Sequence, residues 1–264
     1  MPITLTAYQQ GSLCVGHIWE IEDEDQLVDI VAQVLIGKQR HVKKVLEGTT
    51  GRVVNYRDNA VRDAIGKLTV PPGGDPYHRD GLVFQIFSWL AANLSSGQSS
   101  IIHPPHLIPA QKGFDGLQVD IDSTTNNVTA VVIFEDKATT SPRDTIRDKV
   151  WPEFSEFHQG ERESELEQEI TTLLETRKDL IPDIDAAIET LIWEKVRKFR
   201  VAITADEGHM DSPGRARLFR DYDEVIPIND KDYRRGEIIH INNLREWMED
   251  FCQRVIHHLE ESVT

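Results

Sequence analysis

The stretch Phe114 to Ala138, FDGLQVDIDSTTNNVTAVVIFEDKA, constrains the fold more than any other part of the chain. Two strand-like runs flank a polar turn at Ser123 to Asn127, the pattern of an antiparallel hairpin. The second run carries Val131-Val132-Ile133-Phe134, apolar on both faces, as a strand in the middle of a sheet requires. It ends on Glu135-Asp136-Lys137, where an acid and a lysine two residues apart share one side of the sheet.

Centring the turn on Thr125 pairs Val119 with Val131, Leu117 with Ile133 and Asp115 with Glu135. Directly opposed residues share a face and lie about 5 Å apart at Cα. Two carboxylates are thereby brought together with Lys137 just beyond them, and Gly116 permits close backbone approach. A slip of one residue would turn Asp115 to the opposite face. A close carboxylate pair repels itself unless a cation compensates it. Oxygen ligands with open positions suit magnesium or manganese, which activate water and stabilise charge developing on a phosphoryl group. Beside such a site Lys137 orients the attacking water, stabilises the phosphorus centre as a point charge, or acts as a base. An isolated Glu-x-Lys would be a surface ion pair. Here the charges close a buried strand opposite a second acid.

The remaining periodicities surround this hairpin with helices. Apolar residues at helical spacing run from Gln26 to Leu46, after an acidic run, Glu20 to Asp25, expected as a loop or helix start. A short helix is expected within 52–68, and the break at Val70 to Pro76 ends it. The next helix, about Pro76 to Leu94, is apolar over most of its circumference and carries Gln85 as its polar member. Ser95 to Ser100 ends it, and a loop containing His103 and His106 follows. Thr139-Thr140-Ser141-Pro142 caps a helix over about Arg143 to Phe157. Further helices are expected at Gly160 to Lys178, Pro182 to Lys198 and Leu244 to Leu259. Strands are expected at Phe199 to Ala205, Val225 to Ile228 and Ile238 to Ile241, an edge strand at Leu13 to Trp19, and a loop at Gly208 to Gly214.

Charge weighs on function. There are 29 basic and 45 acidic residues in 264, a formal net charge of −16, which opposes unspecific wrapping of a phosphate backbone. Cys14 and Cys252 make neither a disulfide framework nor a cysteine zinc site, so a reducing, cytoplasmic setting is expected. The N-terminal segment has no signal-peptide pattern, and no apolar run is long enough to span a membrane. No GxxxxGK[ST] loop or GxSxG elbow is present.

Asp115 in GFDG with Glu135 and Lys137 in FEDK resembles the motif of the PD-(D/E)xK nuclease superfamily. The resemblance spans about 76–205. It implies a restriction-endonuclease-like α/β core, a mixed sheet flanked by helices, with 1–75 as a mainly helical N-terminal elaboration and 76–264 as the nuclease domain. It also implies a Mg2+- or Mn2+-dependent nuclease hydrolysing DNA phosphodiesters, with Asp115, Glu135 and Lys137 catalytic and Asp115 and Glu135 as metal ligands. Gln85, in FQIFSW, stands where the family places an acid on its first core helix. Lys112-Gly113-Phe114 precedes Asp115 where the family often has proline. The run PHLI…KGFDGL…FEDKAT is similar to the nuclease component of helicase-paired, Hachiman-like bacterial anti-phage systems. That likeness implies a protein partner, a helicase, in antiviral defence, and a partner that binds DNA makes an acidic nuclease easier to understand.

Thr139 is a hydroxyl near the expected scissile phosphate, with helix capping as its other reading. Arg143 and Arg147 share a helix face and are candidate phosphate contacts. Lys195, Arg197, Lys198 and Arg200 form the most basic short run, read either as a nucleic-acid footprint or as a solvated helix face. The rival functional classes are a non-catalytic acidic adaptor or inhibitor that docks a basic partner, and a hydrolase of RNA or another phosphodiester.

Overall fold

The computed structural model describes residues 1–48, 56–96, 100–107, 114–178, 181, 183–193 and 196–263. Seven strands form one mixed sheet, and helices cover both of its faces. In chain order the strands are β1 Ile3–Gln10, β2 Cys14–Ile21, β3 Ser100–Ile102, β4 Gly116–Ile121, β5 Val128–Lys137, β6 Arg197–Ala205 and β7 Arg234–His240. Their order across the sheet is β1-β2-β7-β6-β5-β4-β3. The four strands β2, β7, β6 and β5 run parallel to one another, and antiparallel pairs close both edges.

The hairpin register follows the sequence pattern: Leu117 pairs Ile133 and Val119 pairs Val131, with a shift only between Asp120 and Ile121, near the turn. The strand β5 is buried from Ala130 to Asp136, because β4 and β6 flank it and helices cover both faces. Val132 and Phe134 meet one apolar core, under α1 Glu24–Leu35, α4 Tyr77–Ser96 and α11 Leu244–Glu261. Val131 and Ile133 meet the other, under α6 Trp151–Gln159, α7 Glu163–Glu175 and α8 Ile184–Trp193. This two-faced burial explains the unbroken apolar run.

Several expected boundaries move. The segment from Cys14 to Trp19 lies in β2, with Leu13 in the turn before it, and β2 is flanked by β1 on one side and β7 on the other, so β1 is the edge. The run from Gln26 to Leu46 is two helices, α1 and α2 Gln39–Leu46, because Gly37 (φ 83°) takes a left-handed turn between them. Asp23 caps α1 by accepting from the Gln26 N–H at 2.9 Å. The short helix α3 spans Asp58–Leu68. The helix expected to reach Lys198 stops with α8, and Arg197 and Lys198 already belong to β6. Arg197 donates to the carbonyls of Phe157 and Ile192, which ties the ends of α6 and α8 to the strand.

The strand expected at Val225 to Ile228 is absent. Val225 ends α10 Tyr222–Val225, Ile226 fills the second core, and Pro227 has no N–H for a ladder. The loop expected at Gly208 to Gly214 contains the start of α9 Ser212–Leu218. The helix after the hairpin begins as α5 Pro142–Thr145 and passes through a π turn at Ile146–Val150 into α6. Among the described residues no helix is long and apolar enough to cross a membrane.

Candidate active site at the end of the central hairpin

The three motif residues converge. The Lys137 ammonium donates to Asp115 Oδ2 at 2.9 Å and to Glu135 Oε2 at 2.7 Å. Strand β5 supplies Glu135 and Lys137, and Asp115 enters from the residue before β4. Gly116 makes the approach possible: a Cβ there would lie 2.7 Å from Cδ2 of Phe134, its cross-strand partner. Asp115 is further anchored by Gln85 of α4, whose amide donates to Oδ1 at 2.6 Å, and by the Asp136 backbone N–H, which donates to Oδ2 at 2.9 Å. Gln85 therefore orients Asp115 instead of filling the core.

Depth separates the two acids. The Glu135 side chain is 1% exposed, whereas Asp115 and Lys137 are 19% and 23% exposed. Burial pushes the Glu135 carboxyl well above its usual range, and the neighbouring Asp115 and Glu153 push the same way while Lys137 opposes them. For Lys137 burial disfavours the charge, but Glu135 and Asp115 outweigh it and hold the group as an ammonium. Asp136, on the opposite face of β5, is raised to about 7 by burial and by Asp115, against the pull of Arg200, Ser88 and Lys137. Its carboxylate accepts from Ser88 Oγ at 2.6 Å, and that hydroxyl also accepts from Arg200 at 2.7 Å.

Two neighbours were not legible beforehand, and a third, His106, was legible with His103 as a loop histidine able to reach a substrate or metal. Glu153 of α6 stands against Glu135. The π turn before α6 shifts the helix by one residue, so the spacing from the hairpin carries no readable signal. Arg162 lies 4.3 Å from the ring centroid of Phe157 and 5.6 Å from that of Phe114, near enough to feel the charges of Glu135 and Glu153. His106 is lowered, first by burial and then by His103, with Glu169 and Asp115 opposing. Its ring lies 5.1 Å from that of His103. Only the pairing of these two histidines was visible in the sequence.

The other expected contacts have different partners. The Thr139 hydroxyl lies 2.9 Å from that of Thr145 and accepts from the Ser141 N–H at 3.1 Å, so it braces the turn into α5. Arg143 binds Asp221 at 2.7 Å and the Arg220 carbonyl at 2.8 Å, joining α5 to the α9–α10 connection. Arg147 pairs with Asp148 at 2.6 Å and Asp144 at 2.9 Å on the surface. Arg143 and Arg147 thus face different surroundings. Lys112, Gly113 and Lys195 lie outside the described residues.

The donor set can be tested against a divalent cation. Among the described residues no group of three or more histidine, cysteine or acidic side chains is arranged to hold a metal. Magnesium, however, commonly takes one or two protein carboxylates and keeps several waters. Asp115 and Glu135 supply hard oxygens around a point already occupied by one positive charge, the Lys137 ammonium. The donor chemistry suits such an ion, and Asp115 and Glu135 are the residues that would hold it. Comparison with protein-family models, with curated proteins and with solved structures finds no match to this chain.

Proposed function

We propose that this chain is a divalent-metal-dependent nuclease hydrolysing DNA phosphodiesters, of the PD-(D/E)xK type, with a restriction-endonuclease-like core. The observation that carries the reading is the meeting of Asp115, Glu135 and Lys137 within hydrogen-bond distance at the open end of a buried hairpin. Burying a charged group such as Glu135 carries a desolvation cost, and clusters of this kind concentrate at functional sites. A bound Mg2+ or Mn2+ would supply an activated water and charge stabilisation at the phosphoryl group. The protein's part is positional. Gln85 and the Asp136 N–H fix Asp115, burial fixes Glu135, and Lys137, held as an ammonium, offers positive charge and donors to the reacting phosphate. That charge state favours the electrostatic role for Lys137 over the base.

A protein partner, of helicase type in anti-phage defence, accords with the net charge of −16, since a partner that binds DNA relieves an acidic chain of holding the phosphate backbone alone. Cleavage assays on linear and plasmid DNA, with RNA in parallel, in Mg2+ and Mn2+ and with the partner added, test the reading. The same charge favours the second reading, an acidic adaptor that binds a basic protein. Calorimetric titration with Mn2+ separates the two. A nuclease loses its metal site in Asp115→Ala, and an adaptor has no site to lose.

A further inference from the structure

At the other end of the sheet, on the opposite face from Glu135 and Lys137, lies a cleft of about 810 Å³. Its floor is the opening of β6 and β7, and the last turn of α4 forms a wall. We propose that this cleft binds a small phosphate-bearing ligand of nucleotide size.

Two cations of the floor lack adequate partners. Lys198 and Arg235 each reach only one carboxylate oxygen, Asp120 Oδ2, at 3.6 Å, and neither side chain donates a hydrogen bond to another described residue. The other oxygen of Asp120 already accepts from Gln118 at 2.6 Å and Ser100 at 3.0 Å. Two other acids line the cleft: Glu237, whose Oε2 accepts from Trp19 Nε1 at 2.9 Å and lies 3.2 Å from the His17 backbone and ring nitrogens, and Asp232, and neither forms an ion pair with Lys198 or Arg235. So the donors of an ammonium and a guanidinium are left over in a half-buried setting.

The arrangement also works against folding. Arg200 and Arg235 are direct cross-strand partners, and like charges in that relation repel. Arg200 is compensated: it is buried, bonded to Ser88 and stacked 4.3 Å from the Phe134 centroid. Arg235 and Lys198 have no such support. Further along the same face the strands carry Ala202 and Ile239, so apolar residues serve where only packing is needed.

The ligand class follows from the donors. A guanidinium fork beside a compact ammonium matches a phosphate, whose several oxygens accept from both at once. The volume lies within the range of small-molecule sites and exceeds the need of a bare anion. Val15, Ile121 and Tyr8 are among the other lining residues and give some apolar surface for the rest of the molecule. This site does not depend on the nuclease reading.

Calorimetry of the full chain in EDTA, with pyrophosphate, AMP and ATP as separate probes, tests it. At least one probe is expected to bind, and affinity should fall about tenfold or more in both Lys198→Gln and Arg235→Gln, one charge-assisted hydrogen bond being worth that much. Lys198→Arg should retain binding, and so should Glu135→Ala. Tighter binding of the nucleotides than of pyrophosphate would assign the apolar part to a nucleoside, and equal affinity would assign recognition to the phosphate alone. Failure of all three probes to bind overturns the proposal. So does binding that survives both substitutions in folded protein, or binding of a short oligonucleotide alone.

Discussion

The two charged regions of this sheet solve the same electrostatic problem in opposite ways. At the end of β5, Lys137 sits 2.9 and 2.7 Å from two carboxylates, and every charge has a close partner. At the opening of β6 and β7, Lys198 and Arg235 share one carboxylate oxygen at 3.6 Å. The first region is a closed acid–lysine cluster in which two carboxylates share one ammonium. The second is an open cleft in which two cations have donors to spare. Arg200 and Asp136 lie between them, linked through Ser88, so one buried ion network runs from one region to the other. The comparison shows that a charge's use is read from how well it is satisfied, and not from its sign or its number.

Substitutions can break or sharpen that contrast. The largest expected effect on stability is at the link. Arg200→Met leaves the buried Asp136 and Glu237 without their shared cation, and should cost about 3–5 kcal/mol in urea unfolding. Lys137→Met should lower DNA cleavage by about 100-fold or more, in line with loss of one stabilising donor to a developing charge. Gly116→Ala must move Phe134, and should cost about 1–3 kcal/mol in the same unfolding assay while weakening cleavage. Lys198→Gln, in the open region, should leave stability within about 0.5 kcal/mol of the parent. A large loss there would show that the floor is a structural ion network and erase the contrast. The smallest effect is chemical. Burial pushes both Cys14 and Cys252 up to about 12, so at pH 8 the native thiols stay neutral and a thiol reagent should label them only as fast as the chain unfolds. Prompt labelling of native protein would contradict their placement in the two cores.

The hairpin was legible because strand alternation and turn position together fix register: the apolar pairs Leu117–Ile133 and Val119–Val131 leave Asp115 and Glu135 little freedom. The place of Gln85 was legible only as a polar residue on an apolar helix, and its bond to Asp115 needed the packing of α4 on β5. Glu153 and Arg162 come from the far side of a π turn, and nothing local in the sequence announces a turn of that kind. The run from Arg197 to Arg200 misled as a helix face. In a strand its residues alternate, so Arg197 ties helix ends on one face while Lys198 and Arg200 point to the other. The N-terminal hairpin was half seen, since β1 is an edge strand whose apolar alternation is confined to Ile3-Thr4-Leu5-Thr6 before the polar Gln9-Gln10.

The most direct test of the central claim is cleavage of linear and plasmid DNA by the purified chain with its partner, in Mn2+ or Mg2+, against Glu135→Ala. The account predicts metal-dependent cleavage that chelation abolishes and that Glu135→Ala lowers by about 100-fold or more. Equal cleavage by the two proteins, or no cleavage by the parent, would contradict it.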